Sequence, residues 1–415
     1  MINASDYKPR IVPVNGDVDS AEIDRAQSID PTVSLNREKV MEIGREDVVG
    51  YLKKSPTIGY RLTQLEYGSI EMWEKLTNSN AKGESGEDPI TLDEFKTPCF
   101  DILGFLTDDD GTFRGTKMYP ALRTSGFSVS IGDPQARIER SFDFVGESAI
   151  TWQGTNKYVI YGKHTAGSGD DNVIDLSASA TQTPVVDPDN AGVYMFRVVR
   201  VTALGISTVL VSGTDYTYSN ITKLLTITTV TAGDVIKYCY TSASAPDVIF
   251  TPNDDDPSAL LGDCASVYMY IPASGKPSAS DYVYRLQSIN FDASFDREDL
   301  REIGNKDIVQ RGIKTNTVTA NYSTILEQFT IDEILRGEVA GYGKIDVEKF
   351  SDQITLIVKI YTDNTKSTFA YGFKMTGMTP TDVKDAVATE EYVKSDGTLT
   401  GEELLITRDE NELGI

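Results

Sequence analysis

Histidine is almost absent from this sequence. His164 is the only one in 415 residues, so any Ser-His-Asp or Cys-His catalytic arrangement would have to use it. It stands in Gly162-Lys163-His164-Thr165-Ala166-Gly167, a stretch of small residues that reads as an exposed loop. Cysteine is scarce as well. Cys99, Cys239 and Cys264 are odd in number, far apart and contain no CxxC pair, which argues against a disulfide framework or a zinc site. Basic charge is in short supply: 39 Lys and Arg face 63 Asp and Glu, for a net charge of −24. Such a chain repels a phosphate backbone, which excludes ordinary nucleic-acid binding through a basic face. No apolar run approaches the ~20 residues that span a bilayer. Met1 to Ser20 has no basic start and no apolar segment of the kind a secretory signal needs. The expectation is a soluble chain made in a cytoplasm, with no membrane insertion.

Catalytic motifs are missing too. There is no GxxxxGK[ST] phosphate loop, and no GxGxxG between a strand and a helix. Asp108-Asp109-Asp110-Gly111 resembles the start of a calcium loop but lacks the spacing and the closing Glu. A turn between strands explains it better. Paired carboxylates serve glycosidases, yet among 63 acidic residues a pair carries no information. The chain is expected to be a non-enzyme, with no metal and no cofactor.

What is present is an internal repeat. Residues 34–49 read SLNREKVMEIGREDVV and residues 294–309 read SFDREDLREIGNKDIV. Eight of these sixteen positions are identical at a constant offset of 260. The same offset aligns Arg25, Gln27, Ser28 and Ile29 with Arg285, Gln287, Ser288 and Ile289. The flanks alternate with the period of a half-buried strand. Ile289, Phe291, Ala293 and Phe295 alternate with Asn290, Asp292, Ser294 and Asp296, as Ile29, Val33 and Leu35 do with Asp30, Thr32 and Ser34. A second alternating strand follows each motif, through Ile58, Tyr60 and Leu62 and through Val318, Ala320 and Tyr322. A short helix is then expected at Ser69–Trp73 and at Thr330–Ile334, each opened by a Ser or Thr N-cap. Apolar strands at Phe100–Leu106 and Ile354–Tyr361 lead into Thr-Asp turns and returning strands. Each copy thus reads strand, long loop, strand, helix, hairpin.

Between the copies, short strands with turn signals about every ten residues suggest a small β-sandwich. The expected organisation is a first repeat over 1–152, an inserted sandwich over 153–264 and a second repeat over 265–415.

The strand, the Arg-Glu-x-x-x-Glu-Ile-Gly loop and the return strand with its helix resemble the tail tube proteins of tailed bacteriophages. The loops are Arg37-Glu38…Glu42-Ile43-Gly44 and Arg297-Glu298…Glu302-Ile303-Gly304. The middle segment resembles immunoglobulin-like domains that decorate phage tails. The resemblance implies a mainly β fold: two tail-tube-like β-sandwich or barrel repeats, each with a short helix, plus an inserted Ig-like sandwich. It implies a virion protein that self-assembles into stacked rings around a DNA channel. Duplication favours a homotrimer of pseudo-sixfold symmetry, with a homohexamer the alternative. Partners would be other tail proteins and DNA passing without specific binding. The lumen is expected to be lined by Asp30, Ser34, Asp292, Ser294, Asp296, Thr319 and Asn321, although the same alternation fits a plain solvated face. Contacts between rings are expected at Arg37, Glu38, Glu42, Arg45, Arg297, Glu298, Glu302 and Lys306. As exposed loop pairs these would contribute only ~0–1 kcal/mol each. The competing reading is a tail-tip or receptor-binding component. It calls for an exposed aromatic cluster in the insert, drawn from Tyr194, Tyr216, Tyr218, Tyr238 and Tyr240.

Overall fold

The computed structural model describes residues 7–15, 19–41, 48–78, 87–108, 112–154, 157–167, 172–177, 184–186, 194–204, 206–243, 259–271, 283, 285–300, 310–325, 335, 353–386 and 392–414. The fold is mainly β. Most strands belong to one 16-stranded antiparallel sheet. Its spine is built from β1 (Ala26–Ser34), β2 (Thr57–Leu65), β3 (Phe113–Ile131), β4 (Glu139–Gly146), β5 (Leu286–Leu300), β6 (Gln310–Ile325), β7 (Phe369–Ala386) and β8 (Lys394–Gly401). The order across the sheet is β1-β2-β4-β3-β5-β6-β8-β7. The first four strands therefore lie side by side with the last four, each set in the same internal order.

The two sets also share a register. Ser28 faces Thr63 and Ser34 faces Thr57, while Ser288 faces Ser323 and Ser294 faces Thr317, all at the offset of 260. Both first strands bulge just after a residue with positive φ, Arg25 at 53° and Arg285 at 58°. Gly146 opposite Ile58 matches Gly401 opposite Val318. A bulge between Thr124 and Gly126 matches one between Pro380 and Asp382.

The long strands β3 and β7 each serve two layers. The first part of β3 pairs with Phe100–Thr107 and Ile150–Gln153, and its second part with β4 and β5. The first part of β7 likewise pairs with Ile354–Tyr361 and Glu403–Thr407 before continuing along β8. The corners sit at Ala121 (φ 56°) and Gly377 (φ 62°). A left-handed residue turns the strand from one layer to the other there, as bulges and bends do in other sheet corners. Glycine meets that demand without strain. Alanine tolerates it because the Ala121 N–H donates to Asp101 Oδ1 at 2.9 Å.

The layers enclose one apolar core with contributions from both halves. Trp73, on the short helix α1 (Glu71–Thr77), is its hub, with edge contacts to Phe95, Phe127, Phe142 and Phe373. The expected Ser69 cap is displaced by one residue. Ile70 holds the N-cap position and is fully buried, while the Ser69 hydroxyl accepts the Glu71 N–H at 3.2 Å. Burying Ile70 outweighs the ordinary cap preference. The second expected helix, Thr330–Ile334, lies outside the described residues.

One ion pair is buried in this core. Arg140 donates to Glu66 at 3.3 Å, and both side chains are fully buried. Arg140 also reaches the Ser69 carbonyl at 2.9 Å, and Glu66 accepts the N–H groups of Tyr67 and Gly68. From the other half, the Tyr371 hydroxyl donates to Glu66 at 2.5 Å. Burial pulls the guanidinium pKa down, but the Glu66 carboxylate, Tyr371 and Tyr67 together outweigh it and hold it above its ordinary value. The Tyr371 phenol is raised well above its ordinary value, by burial first and the Glu66 charge second. Both groups keep their hydrogen-bonding protons throughout the neutral range.

The insert forms two sheets around a separate core. Tyr158–Thr165, Val235–Ser242, Met195–Val201 and Ser207–Val209 make a four-stranded sheet, and Val173–Asp175, Leu224–Ile227 and Tyr216–Ser219 a three-stranded one. Ile160, Val198, Ile236 and Tyr240 meet Ile174, Tyr216, Leu225 and Ile227 between them.

Two stability predictions follow from these contacts. Glu66→Ala strands a buried guanidinium and should cost about 3–5 kcal/mol, read as a lower urea midpoint, with Tyr371→Phe milder at about 1–3 kcal/mol. A Cβ at Gly377 meets nothing within 4 Å, so Gly377→Ala isolates backbone strain and should cost about 1–2 kcal/mol in the same assay.

Candidate functional site

The spine strands carry a continuous polar face, because directly opposed residues in a sheet share a side. Asp30 faces Arg61, Arg61 faces Asp143, Ser141 faces Ser128 and Ser128 faces Asp292. Asp292 then faces Thr319 and Asn290 faces Asn321. Asn321 faces Thr398 and Thr398 faces Asp382. The stripe crosses the whole spine from β1 to β7. All seven residues expected on a lumen lie on it: Asp30, Ser34, Ser294, Asp296 and Asn321 exposed, Asp292 and Thr319 half-buried. Their neighbours Phe291, Ala293, Phe295, Val318 and Ala320 point into the core. The structure thus assembles the expected set on one face.

The face is acidic and hydroxyl-rich. Carboxylates at 30, 139, 143, 292, 296, 382 and 396 outnumber the cations Arg61, Arg123, Lys384 and Lys394. Arg61 lies 3.9 Å from Asp143. Burial raises the Asp292 carboxyl, and it raises Asp143 despite the opposing charge of Arg61. Hydroxyls knit neighbouring strands, with Thr63 bonded to Ser141 at 3.1 Å and Thr398 donating to the Asn321 amide oxygen at 2.8 Å.

The long loops are β-hairpins in part. In the first copy Arg37–Val40 pairs with Gly50–Lys53, after a kink at Asn36 (φ 40°). In the second, β5 and β6 run on past a bulge between Asp296 and Arg297 to Leu300 and Gln310. Alternating residues there sustain a ladder that mixed charge had masked. Arg37, Glu38 and Glu298 are exposed, and Glu38 pairs with Lys54 at 2.6 Å. Glu42, Arg45, Glu302 and Lys306 lie outside the described residues. Arg297 behaves differently from an exposed loop residue. Its guanidinium donates to the carbonyls of Thr124 (2.6 Å), Phe95 (3.0 Å) and Lys96 (3.3 Å) in the first copy. Sequence spacing gave no signal for this clamp, since its acceptors are backbone atoms far away in the chain.

The insert is fastened to the first copy. Arg197 forms an ion pair with the fully buried Asp101, which also accepts the Tyr161 hydroxyl at 2.8 Å. Phe113 stacks on Tyr158 at 3.9 Å. A cavity of about 230 Å³ lies in this seam, lined by Val12, Asp19, Tyr161, Lys163, Arg197 and Tyr238 among others. Its cations are engaged: Lys163 with Asp19 at 3.2 Å, and Lys237 with the Pro13 carbonyl at 3.1 Å. Burial pushes the Cys239 thiol up to about 11, with Arg197 opposing, so it stays a thiol at neutral pH.

His164 sits in the Tyr158–Thr165 strand opposite Ile236 rather than in a loop. The strand-forming Tyr158-Val159-Ile160-Tyr161 carries the ladder through the small residues that follow. Among the described residues, no group of three or more His, Cys, Asp or Glu is placed to hold a metal ion. None of the five insert tyrosines is exposed: Tyr216 and Tyr240 are buried, and Tyr194, Tyr218 and Tyr238 are half-buried. Sandwich packing accounts for them.

No protein-family model matches the chain, and its sequence matches no curated protein.

The pH response of the polar face follows from the raised carboxyls. A carboxyl raised in the fold makes its charged form a burden above the unfolded value, and that burden vanishes once both states are protonated. Asp292→Asn should therefore raise Tm at neutral pH, and the gain should fade as pH falls toward about 4.

Proposed function

We propose that this chain is a structural subunit of a bacteriophage tail tube, in which three chains close a pseudo-sixfold ring and stacked rings conduct DNA. One observation carries the reading. Two four-strand units in the same order and register continue a single sheet, and that sheet bears a polar, carboxylate-rich face along its full width. A head-to-tail joint of this kind closes into a ring when its rotation permits. The polar face would line the channel. Fixed carboxylates and hydroxyls there repel phosphate, so DNA passes without adhering. In this reading the protein is not an enzyme, needs no cofactor, is made in the host cytoplasm and resides in the virion tail beside other tail proteins.

The alternative, a tail-tip or receptor-binding component, has weaker support. The insert does expose Leu204, Ile206, Val209 and Val211 around its edge strand, which is an aliphatic rather than an aromatic surface.

Electron microscopy of the purified protein with its rotational symmetry determined is the direct test. Hollow rings or tubes with threefold symmetry and six similar lobes are expected. Sixfold symmetry of chains would reject the stoichiometry, and dispersed particles without a channel would reject the tube.

A further inference from the structure

The internal joint between the copies is a template for a second joint that the isolated chain leaves open. Inside the chain, β5 pairs with the end of β3, with Asp292 opposite Ser128 and Ser294 opposite Gly126. The outer strands of the spine are β1 and β7. β1 is equivalent to β5 by register, and the second part of β7 is equivalent to that of β3. Among the described residues β1 pairs only with β2, and Thr379–Ala386 only with β8.

The two equivalent strands differ sharply in cover. Ala293 and Phe295 are 2% and 3% exposed, whereas their counterparts Val33 and Leu35 are 49% and 55% exposed. Phe295 stacks on Phe95 of the first copy at 5.6 Å. Arg297 closes that joint on three carbonyls, while its counterpart Arg37 is exposed. An apolar strand face that is buried in one copy and bare in the other marks a surface with a missing occupant, and an open sheet edge is a pairing template.

We propose that the occupant is the β7 edge of a second copy of this chain, in the register of the internal joint. This rests on the ring reading above and specifies its side-to-side contact. Transferring the register sets Asp30 opposite Ala386, Thr32 opposite Lys384, Val33 opposite Val383 and Ser34 opposite Asp382. Val383, half-buried against the core, then covers Val33. Lys384 lies diagonal to Asp30, within reach for a long side chain. Arg37 clamps the Pro380 carbonyl of the neighbour, as Arg297 clamps Thr124, and so acts within a ring rather than between stacked rings. Pro31 supplies no N–H and sits where proline is tolerated, on an edge. It discourages indiscriminate pairing of that edge before the right partner arrives.

A register-specific disulfide tests this. Thr32→Cys combined with Lys384→Cys is assembled, oxidised and run on a non-reducing gel. The pair should give chain-to-chain bonds that each single variant lacks. It should also outperform Asp30→Cys with Asp382→Cys, which sit at opposite ends of the proposed pairing. The exposed position Val33→Asp provides a second arm, with Tm unchanged and rings lost. Rings that form without the Thr32–Lys384 bond, equal cross-linking in the control pair, or intact rings from Val33→Asp would each overturn the register while leaving the tube reading standing. A wild-type chain that forms neither rings nor cross-linkable neighbours overturns both.

Discussion

The antiparallel joint of β3 with β5 is the contact on which the architecture depends. Without it the chain would hold two small sheets, each with its own pair of open edges. With it, one spine runs from β1 to β7 and one core lies beneath it. The joint places Phe295 against Phe95 and Phe127. It also aligns the polar faces of both halves, because a shift of one residue would turn every side chain over. The matching bulges after Arg25 and Arg285 fix the phase in each half and so keep the stripe continuous.

The two halves repeat in backbone but have diverged in the uses of equivalent positions. Asp101 in the first half accepts Arg197, Tyr161 and the Ala121 N–H. By register its counterpart in the second half is Thr355, which is buried and makes no such attachment. A charge introduced at one corner thus anchors the insert to the first half alone. The Glu66–Arg140 pair is likewise one-sided, since Ser395 stands where Arg140 would be. A buried pair adds little net stability over apolar packing but penalises arrangements that break it. Here Tyr371 reaches across to it, so the pair reports whether the halves are correctly docked.

Much of the spine was legible in the sequence. The offset of 260 and the alternation around Ile289–Phe295 predicted strands that pair at that same offset, and the alternating residues predicted which side is polar. Local patterns carry that information because a strand with one buried face must alternate. Other features were not legible. The corner at Ala121 depends on a side chain twenty residues earlier supplying a hydrogen bond. The Arg297 clamp ends on backbone carbonyls, which have no residue-type signature. His164 looked like a loop residue because glycine and lysine beside it mask a ladder whose partner, Val235–Ser242, lies far along the chain. The charged stretch from Arg37 concealed a hairpin for the same reason.

The second half borrows a piece of the first. Ile90–Thr91 pairs with Leu405 and Ile406 at the edge of the second half's outer layer, and Ile90 is fully buried there. These partners are separated by most of the chain. Contacts of such long sequence separation are slow to form, because loop closure must be paid before they contribute. On a ribosome, residues near 90 emerge well before residues near 405. The first half must hold that short strand ready, beside the Thr91–Glu94 capping box, until its partner is made. Completion of the outer layer is therefore a late event in the life of each molecule, and a chain interrupted before 405 would display an unfinished edge to quality-control proteases.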